Sequence, residues 1–150
     1  MFERSSCALV AATLVACGGS PPPQTTSPAP ADNRTLFDRL GGQPAINAVV
    51  HEFVMTTKAD DRISARFLNT DPVKLEQAMD DHVCSITGGS CTYHGKSMRD
   101  AHVGMKLTDA EFAAFMDDLQ KVLAKLNVPA RETKEVVAAF DGMRGDVVGH

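Results

Sequence analysis

From Thr35 to Val148 apolar residues recur at three- and four-residue intervals, and no alternating run is long enough for a strand. That pattern predicts helices throughout. Thr35–Leu40 reads as a short helix stopped by Gly41-Gly42. Pro44 suits the first turn of the next helix, whose Ile46, Val49, Val50, Phe53 and Val54 fall on one stripe. Ala59-Asp60-Asp61 ends it, and Arg62–Leu68 makes a tight corner carrying Phe67. Asn69-Thr70-Asp71-Pro72 is a helix-start cluster. The helix after it places Leu75, Ala78, Met79, His82, Val83 and Ile86 on one face before Gly88-Gly89.

The stretch Tyr93–Phe112 breaks this rhythm. It holds a glycine turn at Gly95, a short helical piece ending in His102, a loop at 104–107 and a strong helix start at Thr108. Thr108-Asp109-Ala110-Glu111 has capping-box spacing. The helix it opens turns Phe112, Phe115, Met116, Leu119, Val122, Leu123 and Leu126 inward and closes at Asn127 and Pro129. Ala130–Val148 gives the last helix, with Val136, Val137, Phe140 and Met143 inward. The expectation is an all-α domain over residues 35–150. An imidazole on a short segment between two longer helices is where a helical protein would place one axial ligand for a flat iron cofactor. A packed or solvated histidine is the alternative at His102.

The front of the chain is different. Arg4 precedes an apolar run, Cys7–Ala16, of about ten residues, a length that suits a secretory signal and is too short to span a bilayer. Leu14-Val15-Ala16-Cys17-Gly18 resembles a bacterial lipobox, which implies cleavage after residue 16 and lipid on Cys17. A plain secretory signal is the alternative. Residues 17–34, with Pro21-Pro22-Pro23 and further Pro and Ser, read as a tether. The expected location is the bacterial cell envelope, with membrane contact through the lipid anchor alone. A net charge of −4 and no basic stripe argue against nucleic-acid binding.

The order of signals resembles the group 1 truncated globins. The residues that carry the likeness are Leu36-Phe37-Asp38-Arg39-Leu40-Gly41-Gly42, Phe53, Phe67, Gly88-Gly89, Tyr93 with Gly95, Met98, Ala101-His102 and the Leu107–Phe112 helix start. The resemblance implies a two-over-two helical sandwich around haem b. It implies that His102 is the proximal iron ligand and that Phe67 packs on the porphyrin. Phe53, Val54, Leu75, Met79, His82, Tyr93 and Met98 would complete the surroundings. On the distal side this chain departs from the family. The position after the Phe of the second helix usually carries Tyr and here carries Val54. Leu75 and Met79 stand where polar residues are common, and Ala78 replaces a usual basic residue. Donors to a gas ligand are each worth about 1.5–3 kcal/mol when charge-assisted, so oxygen retention should suffer and carbon monoxide less. His82 is a replacement donor or a core histidine. Met79 is a second iron ligand or soft filler.

Cys84 and Cys91 flank Gly88-Gly89, and in an oxidising compartment they suit a disulfide. A zinc-like set of His82, Cys84, Cys91 and His94, or free thiols, are the alternatives. His51 lies off its stripe and His150 is terminal, so both read as solvated. The resulting expectation is a lipid-anchored haem protein that reversibly binds oxygen, carbon monoxide or nitric oxide. The rivals are a nitric-oxide-detoxifying enzyme with a reductase partner, a His/Met electron-transfer protein and a haem-free helical adaptor.

Overall fold

The structure is a computed structural model that describes residues 32–150. The expected signal segment, the expected lipidation site Cys17 and nearly all of the expected linker lie outside the described residues. Seven α-helices follow: α1 (Leu36–Leu40), α2 (Gln43–Ala59), α3 (Pro72–Ile86), α4 (Met98–His102), α5 (Asp109–Lys125), α6 (Ala130–Asp141) and α7 (Arg144–Val147), with a 3-10 turn at Ser64–Phe67. Extended pairing among the described residues is limited to one isolated bridge, Leu107 to Val148. No described helix is long and apolar enough to cross a membrane.

Local chemistry sets the helix ends. Gly41 closes α1 at φ +108°, a left-handed conformation that only glycine adopts freely. Asp71 accepts from the backbone N–H groups of Val73 and Lys74 and opens α3 with Pro72 behind it. Thr108 and Glu111 form a reciprocal capping box at the start of α5.

Packing turns these helices into a two-over-two sandwich. α2 packs on α3 and α5, and α5 on α6. Ile46, Val50, Phe53 and Val54 of α2 meet Val83 of α3 and Leu119, Val122 and Leu123 of α5 in one core. Each such side chain contributes about 1.5–3 kcal/mol on burial. Arg39 of α1 reaches both Glu132, at 2.6 Å, and Glu135 of α6, tying the first helix to the last long one.

Three details differ from the periodicity. Ile86 and Leu126, expected inward, are exposed; both sit at helix ends where the chain already reverses. Ala78, also on the inward face of α3, is exposed because it lines an open cavity beside Leu75 and Met79. The helix expected over 130–148 is two helices, because the chain turns at Gly142-Met143. Glycine is a weak helix former there, and the break lets the last residues fold back onto α4.

Candidate functional site

A cavity of about 350 Å³ opens between α3 on one side and α4 with the start of α5 on the other. Its wall includes His102, Phe67, Leu75, Met79, His82, Tyr93 and Met98. Seven of the nine residues expected around a haem are thus brought together. Phe53 and Val54 are not on this wall. Val54 is wholly enclosed, at 0% exposure, in the interior. Phe53 faces a second apolar cavity between α2, α3 and α5, and its ring packs edge-on to Phe115 at 4.7 Å. Phe115 in turn lines the main cavity, so α2 supports that wall from one layer behind.

His102 has a fixed tautomer. Its Nδ1 lies 2.7 Å from the Met98 carbonyl oxygen one turn back on α4. A carbonyl only accepts, so Nδ1 carries the proton and Nε2 keeps its lone pair. Orientation of a ligating imidazole by a carbonyl at its other nitrogen is the usual outer-shell arrangement at metal centres. Ser97 caps α4 by accepting from the Asp100 N–H. The loop after His102 is clasped by the end of the chain. Lys106 N–H donates to the His150 carbonyl at 2.5 Å, Gly149 N–H donates to the Leu107 carbonyl at 2.9 Å, and Arg99 pairs with Asp146 at 3.2 Å.

The opposite wall offers a gas ligand little polarity. Leu75, Ala78 and Met79 carry no hydrogen-bond donor. His82 is half-buried, and burial pushes its imidazole pKa down, favouring the neutral ring. Its Nε2 lies 3.3 Å from Met143 Sδ, and the ring packs edge-on to Tyr93 at 4.9 Å. The Tyr93 hydroxyl donates to the Lys96 carbonyl at 2.9 Å. Gly95 allows that fold-back, since a Cβ there would collide with the Tyr93 ring. Both polar groups at this end of the cavity already have partners.

The structure joins Cys84 and Cys91 in a disulfide, with Cα atoms 5.8 Å apart. It lies two residues after His82 and two before Tyr93. The same two segments are therefore held together twice, once by sulfur and once by the ring contact that lines the cavity. No cluster of three His, Cys, Asp or Glu able to hold a metal ion occurs among the described residues, which leaves the zinc-like set without support. His51, as expected, is exposed, beside Glu76 at 3.2 Å.

Arg66, Met105, Glu111, Phe112, Phe140 and Met143 also line the cavity. Phe112, Phe140 and Met143 were legible as inward positions. Arg66 and Met105 carried no periodic signal, because both lie outside the long helices. Arg66 bridges Glu111 at 2.6 Å and the Met105 carbonyl at 3.0 Å. That guanidinium, with the Thr108 backbone N–H and hydroxyl, holds the Glu111 carboxyl down at about 2.

A largely apolar cavity with one oriented imidazole, its Nε2 lone pair free of a proton, fits a haem. The comparisons agree. The bacterial-like globin family matches residues 35–148. Relatives include the group 1 truncated hemoglobin of Tetrahymena thermophila, 34% identical over 77% of this chain and 95% of that protein. That of Nostoc commune is 32% identical over 76% and 97%. The crystal structure of truncated hemoglobin from Tetrahymena pyriformis in its Fe(III) form superposes with a TM-score of 0.75 at 32% identity, covering 78% of this chain and all of that one. This chain belongs to the bacterial-like globin family, as a group 1 truncated haemoglobin that binds haem b.

Proposed function

We propose that His102 is the proximal haem ligand and that the protein reversibly binds oxygen, carbon monoxide or nitric oxide in a pocket poor in hydrogen-bond donors. The observation that carries this reading is the His102–Met98 contact, which leaves Nε2 as the ligating nitrogen in the cavity. Bound haem supplies the iron at which the gas is taken up. The protein would supply the rest: Met98 orients His102, and Phe67 and Phe112 on the cavity wall would cover apolar porphyrin surface. Leu75 and Met79 offer no hydrogen to a polar gas ligand, so oxygen should leave quickly while carbon monoxide stays. A weakly held oxygen also argues against nitric oxide oxidation as the main activity.

The test is the absorption spectrum of the haem-loaded chain, ferrous and free of oxygen, beside His102→Ala. A five-coordinate parent, and a variant that loses haem or regains it only with added imidazole, is the expected result. Full haem occupancy and an unchanged spectrum in His102→Ala would overturn the assignment. A six-coordinate parent that Met79→Leu converts to five-coordinate would favour the His/Met electron-transfer reading.

The chain is also inferred to be exported and held at the envelope through lipid on Cys17. Support comes from the lipobox-like Leu14–Gly18 and from the Cys84–Cys91 disulfide, which suits an oxidising compartment. Cys17→Ser should move the protein out of the membrane fraction; continued membrane retention would sink that inference.

A further inference from the structure

The cavity wall is rich in thioethers. Met79, Met98, Met105 and Met143 all line it, which is four of the six methionines among the described residues. They come from α3, α4, the loop after His102 and the turn between α6 and α7, so no single helix stripe explains the gathering. Leucine would fill the same space with a better-defined shape, since methionine is flexible and specifies packing poorly. What methionine adds is a sulfur lone pair that a two-electron oxidant attacks. The remaining two described methionines stand apart: Met55 is 52% exposed on α2, and Met116 is 8% exposed in the core.

We propose that these four methionines form a peroxide-modification site inside the haem pocket. The step balances with hydrogen peroxide as the oxidant. The sulfur lone pair takes the distal peroxide oxygen, the O–O bond breaks, and the departing hydroxide collects the remaining proton as water. Sulfur is oxidised by two electrons to methionine sulfoxide, and peroxide is reduced by two. This rests on the haem reading, because haem held in the same cavity would supply the peroxide activation that favours these partly shielded sulfurs over Met55.

The product changes the pocket. Each sulfoxide replaces a soft apolar surface with a polar oxygen. At Met143 that oxygen has a partner ready: His82 Nε2 lies 3.3 Å from the sulfur, and an N–H there donates more strongly to a sulfoxide than to a thioether. At Met79 the α3 neighbours Leu75 and Ala78 offer no donor, and His82, three residues on, is already engaged with Met143. Oxidation there places an unpaired acceptor against the porphyrin and should weaken haem retention.

The experiment loads the full chain with haem or with zinc protoporphyrin, which fills the same space without redox iron. Each form is exposed to limiting hydrogen peroxide and quenched with catalase. Peptide mass spectrometry then follows the gain of one oxygen at each methionine. In the haem form, unmodified Met79, Met98, Met105 and Met143 peptides should be lost ahead of Met55, with Met116 last. In the zinc form the order should revert to exposure, Met55 first. Met55 first in both forms, or haem bleaching with the cavity methionines intact, overturns the proposal. Uptake is confirmed by the Soret band before peroxide is added, so failure to bind haem counts against the haem reading and not against this inference.

Discussion

The two walls of the haem cavity are built on opposite principles. The α4 wall fixes one donor atom and then immobilises everything around it. His102 is held by Met98 one turn back, and the loop behind it is stitched by backbone hydrogen bonds to residues 149 and 150. The α3 wall presents Leu75, Ala78 and Met79 to the cavity, and its one imidazole, His82, is turned to Met143 and Tyr93. The end of α3 is tied to the segment before Tyr93 by the Cys84–Cys91 bridge. The contrast separates two tasks. Holding iron needs a single oriented lone pair, whereas holding oxygen needs hydrogen donors, and in the proposed reading only the first is provided here.

The largest effect should come from breaking the α4 wall at its centre. His102→Ala removes the only imidazole on that wall, and haem retention should collapse, read as loss of the Soret band after gel filtration. The α3 wall has no single residue of that weight. Its strongest point is the disulfide. Replacing Cys84 and Cys91 together with serine should cost about 2 kcal/mol by the loop-closure estimate for so short a loop. Denaturant unfolding of oxidised, reduced and variant protein measures this. Reduction that leaves the midpoint unchanged would show that the bridge contributes nothing.

Restoring a donor to the α3 wall tests the comparison directly. The sequence points to Val54 as the missing-hydroxyl position, but Val54 is fully enclosed and off the cavity wall. Val54→Tyr would overpack the interior, at about 1–3 kcal/mol. Leu75 does line the cavity. Leu75→Gln should slow oxygen dissociation about tenfold if one donor is worth about 1.4 kcal/mol, and change carbon monoxide release much less. An unchanged oxygen off-rate would mean that hydrogen bonding does not control this pocket. A smaller effect is expected at the start of α5, which shares the cavity wall with α4. Thr108→Ala removes its half of the capping box and should cost about 1 kcal/mol in thermal or denaturant unfolding.

The long helices were legible because each rests on a periodic stripe and a chemical start signal, as α3 does on Asp71-Pro72 and α5 on Thr108–Glu111. The short segment that interrupts that rhythm draws attention to His102, but its role comes from the likeness to the family; the structure places it on the cavity wall. The contributions of Arg66 and Met105 were not legible, since they depend on a corner and a loop placed by tertiary packing. The same limit misplaced Val54. Its position along α2 is readable from the sequence, but whether it reaches the cavity or stays a layer behind depends on how α2 is rotated against α5. The likeness to the family, whose residue after the second-helix Phe is usually Tyr, is what puts Val54 at the cavity, and matching a position does not fix that rotation; here Phe115 of α5 lines the cavity and Val54 does not.

The smallest expected effect concerns His82 and pH. Burial lowers its pKa in the folded state below the ordinary histidine value of about 6.5. Between those two values the unfolded chain binds a proton that the folded chain refuses. Stability contributed by the neutral ring is therefore complete above the unfolded value and is lost as pH falls toward the folded one. Its contacts in the wall are the Met143 thioether and the edge of the Tyr93 ring. Glu111, held near 2 by Arg66, titrates well below it. The nearby carboxylate that complicates the measurement is Asp80, two residues back on α3. Burial, Glu76 and Asp81 raise its pKa, so its own contribution has the opposite sign, recovering stability as pH falls. Comparison with His82→Leu cancels that background. Unfolding free energy measured at pH 7.5 and pH 5.5 should fall more in the parent than in the variant. Equal slopes would place the His82 imidazole in contact with water, and would remove Met143 as its partner on the α3 side of the cavity.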